Sequence, residues 1–307
     1  MLRRSDPRWA YVLVNLATLL WASNIVLGRF LRQEIGPISL SAARFSVAGL
    51  IFLLLLRKTQ KNQALIDQPL GSNLRQPPRM EWLLYLGMSL VGVFGFTTLL
   101  YFALRYTTAS HAALINAATP LVTAGLAAVF LKEQFTRPII VGSILSLAGV
   151  GLVIGVGSTK ATESPQVLFG DLLCLVAAVL WGIYSILGRL ATKTKSSLQV
   201  TAYSIWFALP LLYLAAGVEW QTTPPSLTSP VLLAAVYIGV FPSVIAFSAW
   251  NEGVRLAGPN QAMAFYNMLP VYGTLLGMLF LGERLSWSAL IGGVMVIAGG
   301  IMIARLR

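Results

Sequence analysis

A chain of 307 residues that is 57% hydrophobic and 10% charged, with a mean hydropathy of +0.76, is excluded from the soluble globular class, where about a quarter of the residues are charged. Lipid as the solvent accounts for the missing charge, because ionised groups are costly in hydrocarbon. The formal charge of +12 is scattered between apolar runs rather than gathered on one hydrophilic face, which excludes nucleic acid as a partner. One cysteine (Cys174) and one histidine (His111) exclude an intrachain disulfide and a zinc cluster, so no metal or cofactor is expected.

A spanning helix needs about 20 mostly apolar residues. In chain order such runs lie near 9–28, 38–56, 82–104, 110–131, 138–156, 169–188, 198–217, 230–250, 260–281 and 287–304. Runs without alternation cannot be barrel strands, so the expected class is an all-α integral membrane protein of ten transmembrane helices. The first run is too long for a signal-peptide core and lacks a small-residue cleavage site, and is expected as a retained span. The polar segment 57–81, with Pro77-Pro78, has no clear periodicity and is expected as a cytoplasmic linker.

With the N-terminus inside, sixteen Lys and Arg fall on the cytoplasmic side and five outside, so both termini are expected in the cytoplasm. Residues 20–31 (LWASNIVLGRFL) return as 180–191 (LWGIYSILGRLA), offset by 160. Residues 115–133 likewise match 265–283 at an offset of 150, through Pro120/Pro270, Phe130/Phe280 and Glu133/Glu283. Five spans per half is an odd number, so the two halves, 1–156 and 157–307, are expected as inverted repeats. Inverted repeats are characteristic of secondary transporters with a site between the halves.

The WAS-N-x-x-x-G-R pattern of the first run, Ala43-Arg44-Phe45 in the second, YFALRYTTASHAALINAATPLVTAGLAAVFLKE at 101–133 and LFLGERLSWSALIGGVMVIAGG at 279–300 resemble the EamA-type permeases of the drug/metabolite transporter superfamily. The resemblance implies two inverted five-helix repeats, a bacterial inner-membrane location and export of metabolites, commonly amino acids. Relatives that move phosphorylated sugars line their cavity with basic residues, and this chain has only Arg44 away from the helix ends.

Trp21, Asn24 and Gly28 share one helical face, and Trp181, Tyr184 and Gly188 repeat it in the other half. The tryptophans either face a central cavity or anchor the interface, and the glycines read as packing sites. Asn116, Thr119, Pro120 and Thr123 form a face of the fourth run; Tyr266, Asn267, Pro270 and Thr274 do so in the ninth. Pro120 and Pro270 would free the carbonyls of Asn116 and Tyr266, for ligand contact or for a gating kink. Tyr101 closes the third run, and Trp250 at the end of the eighth reads as an interfacial anchor. Arg44 either holds a substrate carboxylate or snorkels to helix-end carbonyls and the outer interface. His111, at the outer start of the fourth run, is a candidate proton site or a plain helix-end residue. Asp171 is expected as a helix cap, and Glu133 and Glu283 as a structural hydrogen bond or gate.

The substrate-binding set is therefore Trp21, Asn24, Arg44, Tyr101, Asn116, Trp181, Tyr184, Tyr266 and Asn267. The expected partners are membrane lipid and a small solute, an amino acid or similar metabolite, with proton coupling open and the protein a monomer or homodimer. No nucleophile–base pair, zinc motif or nucleotide loop is present, so an enzyme is not expected. An uptake or facilitative carrier, or a non-transporting receptor, is the alternative.

Overall fold

The computed structural model describes residues 7–64, 79–116, 118–119, 122, 125–126, 137–155, 164–192, 194–257, 266 and 268–304. Within lipid a backbone must satisfy its own hydrogen bonds, and every regular element among the described residues is helical. In chain order α1 is Pro7–Phe30 and α2 Pro37–Ala64. α3 (Arg79–Met88) continues through a π-helical stretch, Ser89–Phe96, into α4 (Thr97–Ala103). α5 (Ala109–Asn116), α6 (Arg137–Gly155), α7 (Pro165–Ala191) and α8 (Ser197–Thr222) follow. α9 (Ser229–Val240) runs through a second π-helical stretch, Phe241–Ile245, into α10 (Ala246–Ala257). α11 (Leu269–Leu281) and α12 (Trp287–Ala304) complete the described helices.

Among the described residues six stretches are long and apolar enough to cross a bilayer: Trp9–Phe30, Pro37–Lys58, Glu81–Ala103, Pro165–Gly188, Ser197–Thr222 and Ser229–Gly253. They coincide with the first, second, third, sixth, seventh and eighth apolar runs. The fifth, ninth and tenth runs carry shorter apolar helices. Much of the fourth run, with Pro120, Thr123 and Glu133, lies outside the described residues, as does Asn267 in the ninth. So do the 156/157 boundary and residues 65–78 of the polar segment. The remainder of that segment departs from the linker expectation, because α2 extends to Ala64 and α3 begins at Arg79. Arg, Lys, Gln and Ala, good helix formers, supply six of the eight residues of Arg57–Ala64, with Thr59 and Asn62 between them.

Leu54, Leu83, Leu214, Leu233 and Leu279 are exposed on outer faces, where lipid is the expected neighbour. Inside, α1 packs against α10 and α11, while α7 packs against α4, the first π-helical stretch and α5. α2 pairs with α8, and α6 with α12. The α6–α12 contact requires glycine: a Cβ on Gly149 would sit 2.5 Å from the Gly292 carbonyl oxygen, and one on Gly299 2.4 Å from that of Gly142.

Two carboxylates tie helix starts to distant helix ends. Glu219, near the end of α8, accepts hydrogen bonds from the Ile38 and Ser39 amides (3.2 and 2.8 Å) and from Ser39 Oγ (2.6 Å). Glu283, just after α11, accepts from the Ala109 and Ser110 amides (2.8 and 2.9 Å) and from Ser110 Oγ (2.6 Å). An anion at the end of its own helix opposes that helix's dipole. Here each one instead satisfies the orphan amides that open another helix. Glu283 thus makes the structural hydrogen bonds expected of it.

Candidate functional site

Trp21 and Asn24 on α1, Arg44 on α2, Tyr101 on α4, Asn116 on α5, Trp181 on α7 and Tyr266 line one narrow internal cavity. Phe96, Thr97, Phe247 and Leu269 also line it, and sequence reasoning did not single them out. Tyr184 lies behind the wall, stacked on Trp181 with ring centroids 5.0 Å apart. Its ring lies where a Cβ on Gly92 would go, 2.1 Å from Tyr184 Cδ2, so the first π-helical stretch passes directly under it. Of the two repeat glycines, Gly28 lies against Tyr101, at 2.7 Å from a built Cβ, whereas among the described residues Gly188 meets only Met88 Cε at 3.4 Å. Close approach therefore holds for Gly28 and not for Gly188.

The aromatic residues form one connected cluster. Trp21 meets Trp181 at 5.5 Å, Phe247 at 5.5 Å, Trp250 at 5.3 Å and Tyr266 at 6.1 Å, mostly edge to face, the arrangement favoured by ring quadrupoles. Trp21 and Trp181 are buried, and neither anchors an interface. Trp250 departs from the anchor expectation as well: it is buried and packs on Tyr266 at 5.5 Å. Asn251 and Glu252 mark where the chain turns polar, but the Trp250 ring is packed inside the bundle.

Arg44 does not snorkel. It is 2% exposed and its guanidinium is held inside the protein. Nε donates to Ser243 Oγ at 3.1 Å, and Nη1 donates to Tyr101 Oη at 2.7 Å and Asn24 Oδ1 at 3.2 Å. The Tyr101 hydroxyl in turn donates to Asn24 Oδ1 at 2.5 Å. Among the described residues no carboxylate pairs with Arg44, so its charge is hydrogen-bonded but not neutralised. The second π-helical stretch contributes twice. Ser243 holds Arg44, and the Pro242 carbonyl accepts from Trp21 Nε1 at 3.1 Å. π-bulges are frequent at functional sites. The only sequence signal was Pro242 within an apolar run.

The proline expectation changes in detail. The Asn116 carbonyl accepts from Thr119 Oγ1 at 2.6 Å, so it is not left without a partner. Pro270 occupies the first turn of α11, where the absent N–H costs no helical hydrogen bond. It is the Asn116 side chain that is open: Nδ2 donates to the Ala112 carbonyl at 2.8 Å, while Oδ1 is buried and has no partner among the described residues. Trp181 Nε1 is likewise buried and unpartnered.

His111 does not line this cavity. Its Nδ1 lies 3.1 Å from Asp171 Oδ2, and Asp171 Oδ1 accepts from Thr107 Oγ1 at 2.5 Å. Asp171 is thus no cap. α7 begins at Pro165 with Ser164 as its N-cap, which leaves Asp171 buried within the helix. Among the described residues no group of His, Cys, Asp and Glu could hold a metal ion.

The chain is similar over most of its length to several proteins named as transporters. It is 27% identical to the uncharacterized transporter YyaM of Bacillus subtilis (strain 168), covering 94% of this chain and 91% of that one. It is 28% identical to a probable terminal-alkyne amino-acid exporter of Streptantibioticus cattleyicolor, covering 99% and 95%. With the aromatic amino acid exporter YddG of Ancylobacter novellus it shares 25% identity, covering 94% of each chain. One crystal structure, 23% identical and covering 95% of both chains, superposes with a TM-score of 0.64, a likeness of fold alone. The EamA-like transporter family matches twice, over residues 8–155 and 168–305. With both halves matched and a helical membrane fold around one polar-aromatic cavity, the chain belongs to the EamA-like transporter family.

Proposed function

We propose that this protein is a secondary transporter that exports small metabolites, amino acids among them, by alternating access through the cavity around Arg44. The observation that carries the reading is the buried Arg44, hydrogen-bonded by Asn24, Tyr101 and Ser243 but lacking an anionic partner among the described residues. A cation held in a low-dielectric cavity without a counter-ion is a natural receptor for a solute carboxylate. Two relatives are named as amino-acid exporters, which favours the same solute class.

The proposal includes ten helices in two inverted halves, 1–156 and 157–307. Helix packing supports it: α1 packs on α10 and α11 as α7 packs on α4 and α5, while α2–α8 and α6–α12 pair across. Such an exchange of roles is what a pseudo-two-fold axis in the membrane plane produces, with the site at its centre. Rocking of the halves would open the cavity to one side at a time. The distribution of Lys and Arg supports an inner-membrane protein with both termini in the cytoplasm. The His111–Asp171 pair joins α5 to α7, and hence one half to the other. It is where we place the coupling of export to a proton gradient.

The test is flux in proteoliposomes for a panel of amino acids and other metabolites, with and without a pH gradient. The reading predicts solute movement above that in empty liposomes. Flux indifferent to the gradient would remove the proton-driven form while keeping the carrier. A solute panel that never exceeds empty liposomes would defeat the whole proposal.

A further inference from the structure

Two buried polar atoms on residues lining the cavity have no partner among the described residues: Asn116 Oδ1 and Trp181 Nε1. Both residues are almost wholly enclosed, at 1% and 2% exposure. A buried acceptor or donor left unpaired is costly, and such groups in a native structure call for an explanation.

Internal symmetry sharpens the point. Trp181 corresponds to Trp21 in the repeat, and Trp21 Nε1 is satisfied by the Pro242 carbonyl at 3.1 Å. Asn116 corresponds to Tyr266, whose ring packs on Trp21 and Trp250. Trp21 is closed off within the protein where its counterpart Trp181 is left open, and both open residues, Trp181 and Asn116, line the cavity that holds Arg44. Arg44 itself spends Nε and Nη1 on protein partners, and Nη2 makes no hydrogen bond among the described residues. The open set is therefore one cationic donor, one neutral donor and one neutral acceptor. Aromatic faces surround it, and no lining residue among the described ones is a carboxylate.

The geometry points to a recognition site for neutral α-amino-acid zwitterions, in which Arg44 takes the carboxylate, Trp181 Nε1 supplies a further donor, and Asn116 Oδ1 accepts from the ammonium. This deepens the transporter reading above and rests on it. A plain carboxylic acid would answer the two donors and leave Asn116 Oδ1 unpaired. A solute with a second positive charge would find no counter-ion. An ammonium at Asn116 gains an acceptor and the negative faces of Trp21, Trp181 and Tyr266. Because the cavity is narrow and the rings are in mutual contact, binding must part them, so tryptophan fluorescence will report occupancy.

The experiment is ligand binding to the purified full-length protein, read by intrinsic fluorescence and thermal shift. The probes are L-phenylalanine and L-leucine, each beside its deaminated acid (3-phenylpropionate, 4-methylpentanoate) and its amide. In the wild type at least one amino acid should bind about tenfold or more tightly than its deaminated acid, the size of one charge-assisted hydrogen bond. Its amide, which lacks the carboxylate, should bind more weakly still. Asn116→Leu should abolish the preference for the amino acid over the deaminated acid. Trp181→Phe should weaken both to the same degree. Asn116→Asp keeps the side-chain shape, covers the case in which the leucine variant misfolds, and should shift preference toward the cationic amide. Equal binding of amino acid and deaminated acid by the wild type overturns the inference and leaves the transporter reading standing. Failure of all six compounds, while some other solute crosses proteoliposomes, removes amino acids from both.

Discussion

Replacing Arg44 by Gln should push stability and ligand affinity in opposite directions. In the unliganded protein the guanidinium is desolvated, 2% exposed, and held by three hydrogen bonds to neutral groups. Neutral partners return only part of the cost of burying a charge. Gln is shorter and uncharged, so it removes that cost while its amide still donates to one of Asn24, Tyr101 or Ser243. The hydroxyl and amide partners that lose Arg44 can bond to each other, as Tyr101 and Asn24 already do at 2.5 Å. The melting temperature of Arg44→Gln, measured without ligand, should therefore not fall. Affinity for an amino acid should fall by about 2–5 kcal/mol, the usual result of truncating one side of a buried charge pair, or roughly thirtyfold and more. Arg44→Lys keeps the charge but not the planar fork, and should lie between. Fluorescence titration of the same preparations compares the two quantities. An Arg44→Gln protein that binds as tightly as the wild type would refute the reasoning. So would a large loss of melting temperature, which would make Arg44 a structural strut.

Further predictions concern the scaffold. Gly92→Ala would place a methyl 2.1 Å from Tyr184 Cδ2, and overpacking of this kind costs about 1–3 kcal/mol. Its melting temperature should drop, whereas Gly188→Ala, whose nearest neighbour lies at 3.4 Å, should be nearly silent. Glu283→Ala strips the Ala109 and Ser110 amides of their acceptor. Loss of a helix cap costs about 0.5–2 kcal/mol, and Glu283→Gln should recover part of it in the same melt.

Much of the helical plan was legible because membrane spans are written in local composition, and a duplicated segment declares itself. Trp21, Asn24 and Arg44 could be picked out for the same reason: each is polar or aromatic where neighbours are aliphatic. What escaped was set by contacts distant in sequence. Asp171 looks like a cap from its neighbours along the chain, and only the fold brings His111 to it across 60 positions. Trp250 sits beside Glu252, so its local context reads as an interface, yet its ring joins Trp21 and Tyr266. That the Thr119 hydroxyl would bond to the Asn116 carbonyl could not be foreseen from the pattern of the fourth run. The two π-helical stretches follow no hydrophobic period that distinguishes them from the α-helices they interrupt. Least visible of all was which polar atoms stay open, since Trp21 and Trp181 are the same residue in the same motif and differ only in what the opposite half offers them.

The central claim is that one cavity is presented alternately to the two sides of the membrane, and substrate counterflow tests it most directly. Proteoliposomes loaded with an excess of unlabelled neutral amino acid are diluted into a trace of the labelled compound, with no ion or pH gradient. The account predicts transient accumulation of label above its equilibrium level, lost in Arg44→Gln, because a carrier returns occupied faster than label can leave. Label that only equilibrates, or that never exceeds empty liposomes, would contradict it.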